Sequence, residues 1–344
     1  VLAAIVAVAT PALGAGDTDR LDQFRALAVR TLGAGPPVDS EQAAAALREM
    51  WALLDEEIVE SLGAGGVFAS LPFLQERLDG FADAWGGASF RLHRFGPLTV
   101  GAFQLAEAGG GAAIRVYGRL DGEPALLTTL SRDGRPSVYA LPPAHGAAQF
   151  LAAWEGAASG RGTRALRLDL VRQTPDGASV VWSTADTFPD GLVVREWGIR
   201  GGDVRVRYEL RYPGWVPGCE GQTEQEDDYR LSGDHSTFVR AGRRVFNAWH
   251  LSLHRVADRV FTALAAGGDR SALAPLVPDP RLRARLPAKL APDTACDAVE
   301  PPAGAATPAT VATAALAGDG RPWTLTWRRA GAEWRLTSAQ PVGE

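Results

Sequence analysis

Three groups of residues in this 344-residue chain have types and spacings that could do chemistry. His250, His254 and Asp258 recur every four residues. That spacing stacks side chains along one side of a helix, where two imidazoles and a carboxylate could share a metal ion. No glutamate stands beside His250 to make the helical metalloprotease pattern, and pairs of histidines four apart also occur on amphipathic helices that hold no metal. Glu220, Glu224, Glu226, Asp227 and Asp228, with His235 nearby, form the second group. Such a run could coordinate calcium or supply a general acid and base. Its order does not match the calcium loop, in which ligands alternate around a glycine, so a solvated acidic loop is the plainer reading. The third group is Cys219 and Cys296, the only two cysteines in the chain, each in a stretch that reads as loop and could adapt to disulfide geometry.

Other chemistry is not signalled. There is no Gly-x-Ser-x-Gly elbow, and neither cysteine sits in a protease signature. The glycines of residues 156–162 do not lie between a strand and a helix, so they read as a flexible connection and not as a phosphate cradle. No pattern points to a cofactor. Trp154, Trp182, Trp197 and Trp215 could line a sugar-binding face, since flat rings stack on apolar sugar faces. Trp182 and Trp197 lie inside alternating strands and are expected in a β core, whereas Trp215, among prolines and glycines, is expected to be exposed. The residues singled out for binding are therefore Trp215, Glu220, Glu224, Asp227 and Asp228, with His250, His254 and Asp258 as the candidate metal set.

The elements that would position these residues follow from periodicity. Residues 204–212 alternate without a break, Val204, Val206, Tyr208, Leu210 and Tyr212 on one face and Arg205, Arg207, Glu209 and Arg211 on the other, which describes a half-buried strand. Runs around 166–170, 180–182 and 193–199 precede it, separated by Pro-Asp-Gly turns and by Gly201-Gly202, so a four-stranded meander is expected. Residues 213–229 then read as a long loop, too rich in proline and glycine for a strand and too acidic to be buried. Upstream, three helices are expected. The clearest is capped by Ser70, has Pro72 in its first turn and repeats Leu71, Leu74, Leu78, Phe81 and Trp85 at spacings of three and four. Short strands follow from residue 89. After residue 246 the period becomes helical again, with Asn247 as the expected cap, and the chain closes on strands around 310–316, 323–327 and 334–336.

This last order, helices and then a small sheet closed by a Trp-rich hairpin, is carried by residues 260–264, Leu276, Val277 and 323–336. It resembles the nuclear-transport-factor-like cone fold common in small exported bacterial proteins. The resemblance implies a small curved sheet over helices. Such folds serve as enzymes, binding cups and oligomerisation modules, so it implies no particular activity.

Composition bounds the rest. Hydrophobic residues make up 46% and charged residues 22% of the chain, ordinary for a globular protein of more than one core. A net charge of −5 gives no electrostatic case for nucleic acid or an anionic membrane. The uncharged, apolar stretch 1–16 reads as the rear of a signal peptide, and no other stretch is long and apolar enough to span a membrane. Export would place the two cysteines where a Cys219–Cys296 disulfide can form. The expectation is thus an α+β protein: a signal-peptide remnant at 1–16, helices over 17–87, an antiparallel β domain over 88–246 and an α+β module over 247–344. It is read as an exported, non-enzymatic binding or envelope-associated protein with a sugar or protein ligand. The rival reading is an extracellular hydrolase acting on a polymer with acids from residues 220–228.

Overall fold

The computed structural model describes residues 19–33, 40–106, 111–267, 270–296, 299–300 and 308–343, so the expected signal peptide lies outside the described residues. The chain is α+β, with helices first and antiparallel sheets after them. It groups into two compact units, one of Val1–Ala140, Ala147–Ala152 and Val171–Ser179, the other of Leu141–Gly146, Ala153–Leu170 and Val180–Glu344.

In the first unit, helices α1 (Arg20–Gly33), α2 (Ser40–Ala64) and α3 (Leu71–Trp85) accompany a four-stranded sheet. Its strands β1 (Ser89–Phe95), β2 (Leu98–Gln104), β3 (Ala112–Leu120) and β4 (Glu123–Ser131) lie in sequence order. Helix α3 begins as its sequence indicates: the Ser70 hydroxyl accepts from the Phe73 N–H at 3.4 Å, and Gly86 ends the helix at φ 75°, a left-handed position that glycine takes without strain. Its Leu74, Leu78 and Phe81 pack with Phe24, Leu54, Ile58, Phe90 and Phe103 in one core. Inside that core edge the Asp55 carboxylate accepts from the Arg115 Nε at 2.6 Å and from the Tyr117 hydroxyl at 2.8 Å. Burial and the Asp55 charge together push the Tyr117 phenol well up from its usual range. Strand β5 (Arg135–Ala140) ends this run, and β6 (Gln149–Glu155), β7 (Arg164–Thr174) and β8 (Gly177–Ser183) each give residues to both units.

The second unit contains a meander, but set later in the chain than the expected one over 166–212: it is β7 and not β8 that pairs with the next strand, at residues 192–194. Strands β9 (Leu192–Arg200), β10 (Asp203–Glu209), β11 (Glu224–Leu231) and β12 (Phe238–Phe246) pair antiparallel in sequence order. The β9–β10 hairpin turns at Gly201 and Gly202, with φ 60° and 88°, the two positive angles that a tight hairpin requires. Val204, Val206 and Tyr208 are buried on one face. Residues 224–231 are strand, which corrects the reading of 213–229 as one loop: only 210–223 loops out. Trp182 and Trp197 are half-buried and not core. Trp197 stands opposite Val206 and so shares the inward face, but alternation assigns a face without assigning its cover.

Helix α4 (Ala248–Ala265), α5 (Pro280–Arg285) and a second set of strands complete this unit. Here β13 (Leu290–Pro292), β15 (Thr310–Ala317), β16 (Pro322–Ala330) and β17 (Glu333–Pro341) lie in that order, with β14 (Val299–Glu300) also paired to β15. Leu253, Val260, Leu264, Val277, Leu325, Trp327 and Trp334 form its core. The two indoles find polar partners, as buried indoles generally must: Trp327 donates to the Thr313 hydroxyl and Trp334 to the Ser252 hydroxyl, both at 2.9 Å. Asn247 precedes α4 but makes no side-chain cap. Instead the Thr223 hydroxyl donates to the Asn247 carbonyl at 2.7 Å and accepts from the Leu251 N–H at 2.9 Å, which fastens the end of the loop to the first turn of the helix.

Candidate functional site

The outer face of the meander is built from the side chains that alternate away from Val204 and Val206. Across the strands, Arg205 stands opposite Asp228 and Gly198, Arg207 opposite Glu226 and Glu196, and Asp203 opposite Arg230 and Arg200. Opposite charges directly across a ladder stabilise pairing. Arg205 Nε meets an Asp228 oxygen at 2.8 Å, and Arg230 Nε meets an Asp203 oxygen at 3.1 Å. Gly198 and Gly242 flank the Arg205–Asp228 row, and with no side chains there the face is hollowed into an open trough of about 610 Å³. Alternation in β10 marks this charged face in the sequence. Nothing in the sequence shows that two glycines from different strands would fall on one row.

At one end, loop 210–223 folds over this face and buries its last carboxylates. The Glu209 side chain is fully enclosed beside Arg195 Nη2 at 2.9 Å. It also accepts from Trp215 Nε1 and from the Gly218 N–H, both at 3.1 Å. Glu224 is shared between Arg195 Nε at 3.2 Å and Arg207 Nε at 2.5 Å. Trp215 is therefore half-buried and held to Glu209, with the Arg211 guanidinium 5.6 Å from its ring centre, and is not the free ring that its prolines and glycines suggest. Glu220 remains exposed. Asp227 points inward, completely buried between Arg240 at 3.6 Å and Arg243 at 3.3 Å, and accepts from the Tyr208 hydroxyl at 2.9 Å. Burial and the Asp227 charge push the Tyr229 phenol beside it up to about 12. The acidic run is thus divided among an exposed loop position, the trough and the interior, and does not form one cluster.

The loop is closed by the expected disulfide between Cys219 and Cys296, whose Cα atoms are 5.2 Å apart. Next to it, His250 and His254 are buried and stacked. The Tyr212 hydroxyl lies 2.8 Å from His250 Nδ1 and accepts from the Thr223 N–H at 3.1 Å. Burial lowers both imidazoles, with the neighbouring His254 adding to the shift of His250: His250 to about 3 and His254 to about 4. Asp258, one turn further, is exposed. Among the described residues no three His, Cys, Asp or Glu side chains come together to hold a metal, so the every-fourth spacing does not assemble the expected set. A cavity of about 20 Å³ beside the two histidines, lined also by Cys219, Cys296 and Asp293, has room for about one water.

Set against known proteins, the chain matches no family model and no curated protein.

Proposed function

We propose that the chain is an exported, non-enzymatic binding or envelope-associated protein, and that its ligand is a polar chain molecule lying along the trough of β9 to β12. The single observation that carries this reading is the hollow between Gly198 and Gly242, about 610 Å³ and floored by alternating guanidinium and carboxylate groups. Its size is that of small-ligand sites, and its lining sets guanidinium and carboxylate groups beside Trp197, Ile199 and Val204, which favours a ligand with both polar groups and apolar faces. The Arg205–Asp228 and Arg230–Asp203 pairs are largely exposed. Pairs of this kind contribute about 0 to 1 kcal/mol, so a ligand can exchange into them at little cost. An oligosaccharide suits such forks and carboxylates best. The disulfide supports an oxidising compartment. Helices followed by a small sheet in α4 to β17 support the cone-fold reading of that region, as a binding or assembly module.

The hydrolase reading gains nothing from the acids it would need. Glu224 and Asp227 are each held between two arginines, so their oxygens already have partners within the protein. The test is calorimetry against a panel of neutral and charged oligosaccharides, with Gly198→Phe as the blocking variant. A Cβ at Gly198 meets nothing within 4 Å, so the ring enters the trough without disturbing the core. Binding that disappears in Gly198→Phe is expected; undiminished binding, or no binding by the parent protein, overturns the proposal.

A further inference from the structure

We infer that the Cys219–Cys296 bond is a site of thiol–disulfide exchange, attacked at Cys296 and opened with Cys219 as the leaving sulfur. The two halves of the bond sit in unlike surroundings. Cys219 is 3% exposed, whereas Cys296 is exposed. An open hollow of about 400 Å³, lined by Arg161, Gly218, Cys219, Glu220 and Cys296, leads to the bond. Attack requires access to one sulfur and stabilisation of charge on the other. The exposure supplies the first at Cys296.

The second is supplied at Cys219. Arg161 Nη1 donates to the Cys219 Sγ at 3.3 Å and to the Pro217 carbonyl at 3.1 Å. A guanidinium so placed stabilises a thiolate departing at Cys219, because the thiolate is the charged form. The backbone makes room for it: a Cβ at Gly218 would stand 2.7 Å from the Arg161 Cβ, and Gly218 has φ +80°. Arg195 Nη2 donates to the Cys219 carbonyl at 2.8 Å, so the leaving residue is held in place while its sulfur is released. Arg161 and Glu220 both line the hollow, so it carries no single sign of charge, and the co-reactant class is a small thiol or a dithiol that attacks as its thiolate.

An incoming thiolate forms a bond to the Cys296 sulfur, the bond between the two cysteines breaks, and its electron pair leaves as the Cys219 thiolate. A second thiol of the reductant then attacks the mixed disulfide, giving the oxidised reductant and the Cys296 thiolate. Two electrons pass from reductant to protein, and the reverse sequence restores the bond. Opening it frees loop 210–223 from Cys296 and leaves in place the hydrogen bonds that Trp215 and Gly218 donate to Glu209 and those that Thr223 makes with Asn247 and Leu251. The inference is independent of what lies in the trough.

The experiment treats the native full chain with 2-mercaptoethanol at neutral pH, quenches by alkylation and maps the modified cysteines. A mixed disulfide on Cys296 with Cys219 alkylated is expected. With dithiothreitol, Arg161→Ala is expected to open about three- to ten-fold more slowly, since exchange rates follow stabilisation of the leaving thiolate, and Arg161→Lys, which keeps the charge, to stay near the parent rate. An adduct on Cys219, cleavage only after unfolding, or an Arg161→Ala rate equal to or above the parent's overturns the inference. The mapping uses the unaltered protein, so it decides even where a variant folds poorly.

Discussion

The rings of His250 and His254, one turn apart on α4, lie face to face with 4.4 Å between their centroids. Two imidazolium ions cannot share that spacing cheaply in a buried setting; the Tyr212 hydroxyl lies beside His250, and Glu220, Gln222, Asp293 and Thr313 share the small cavities that the two rings line. Both folded-state values lie below the ordinary value of 6.5, so the unfolded chain binds protons more readily. Their contribution is complete above about pH 6.5 and is lost as pH falls toward 4 and then 3. Urea unfolding across that window should show stability falling by a few kcal/mol, and His254→Gln should flatten the slope. A slope unchanged by that substitution counts against the pair.

Asp227 is the buried charge on which the inner face of β10 to β12 depends. Asp227→Ala leaves Arg240 and Arg243 without their shared partner and removes the acceptor of the Tyr208 hydroxyl, which still accepts from Gln225 Nε2. Arg240 and Arg243 are 40% and 47% exposed, so water can solvate them and the loss is mainly that of the buried hydrogen bonds to Asp227, about 1 to 3 kcal/mol. Asp227→Asn keeps an acceptor for Tyr208 and should lose less. The comparison is made by denaturant midpoints of the two variants at one pH.

Trp327 and Trp197 should part company under truncation. Trp327 is fully buried and bonded to Thr313, and its replacement by alanine should cost about 3 to 5 kcal/mol. Trp197 is half-buried and should cost clearly less. Thermal unfolding of both variants would show it, and equal losses would place Trp197 in a core after all.

Gly214 and Gly198 make a similar contrast on a smaller scale. A Cβ at Gly214 would fall 2.0 Å from His254 Nδ1 at a residue with φ +81°, while one at Gly198 meets nothing within 4 Å. Gly214→Ala should therefore destabilise by more than about 1 kcal/mol, through strain and a forced shift of the imidazole. Gly198→Ala should be close to neutral. Matched melting curves decide between them.

Features that were legible in the sequence rest on local rules. Helix α3 follows from its cap and its three-and-four spacing, and β10 from unbroken alternation. The disulfide follows from there being one possible pair. What was misread depends on partners distant in the chain. The acids from Glu224 to Asp228 read as solvated loop on charge alone, yet they pair in the ladder between β10 and β12, where Arg195, Arg207, Arg240 and Arg243 neutralise Glu224 and Asp227. Trp215 looked free because its loop was, and it is Glu209, at the end of the preceding strand, that holds it. The histidine spacing on α4 was correct as geometry, but helix burial separates His250 and His254 from the exposed Asp258.

The cystine spans 77 residues, and helix α4 lies inside that span while β15, β16 and β17 lie beyond it. A protease that cuts one peptide bond between Cys219 and Cys296 therefore yields two fragments that stay covalently joined, with the helix and the strands of a single core still tethered. Such a nicked chain would run as one species on a gel until thiol is added and as two thereafter. Its pieces would refold as neighbours and not as strangers in solution, because the tether keeps their mutual concentration high whatever the dilution.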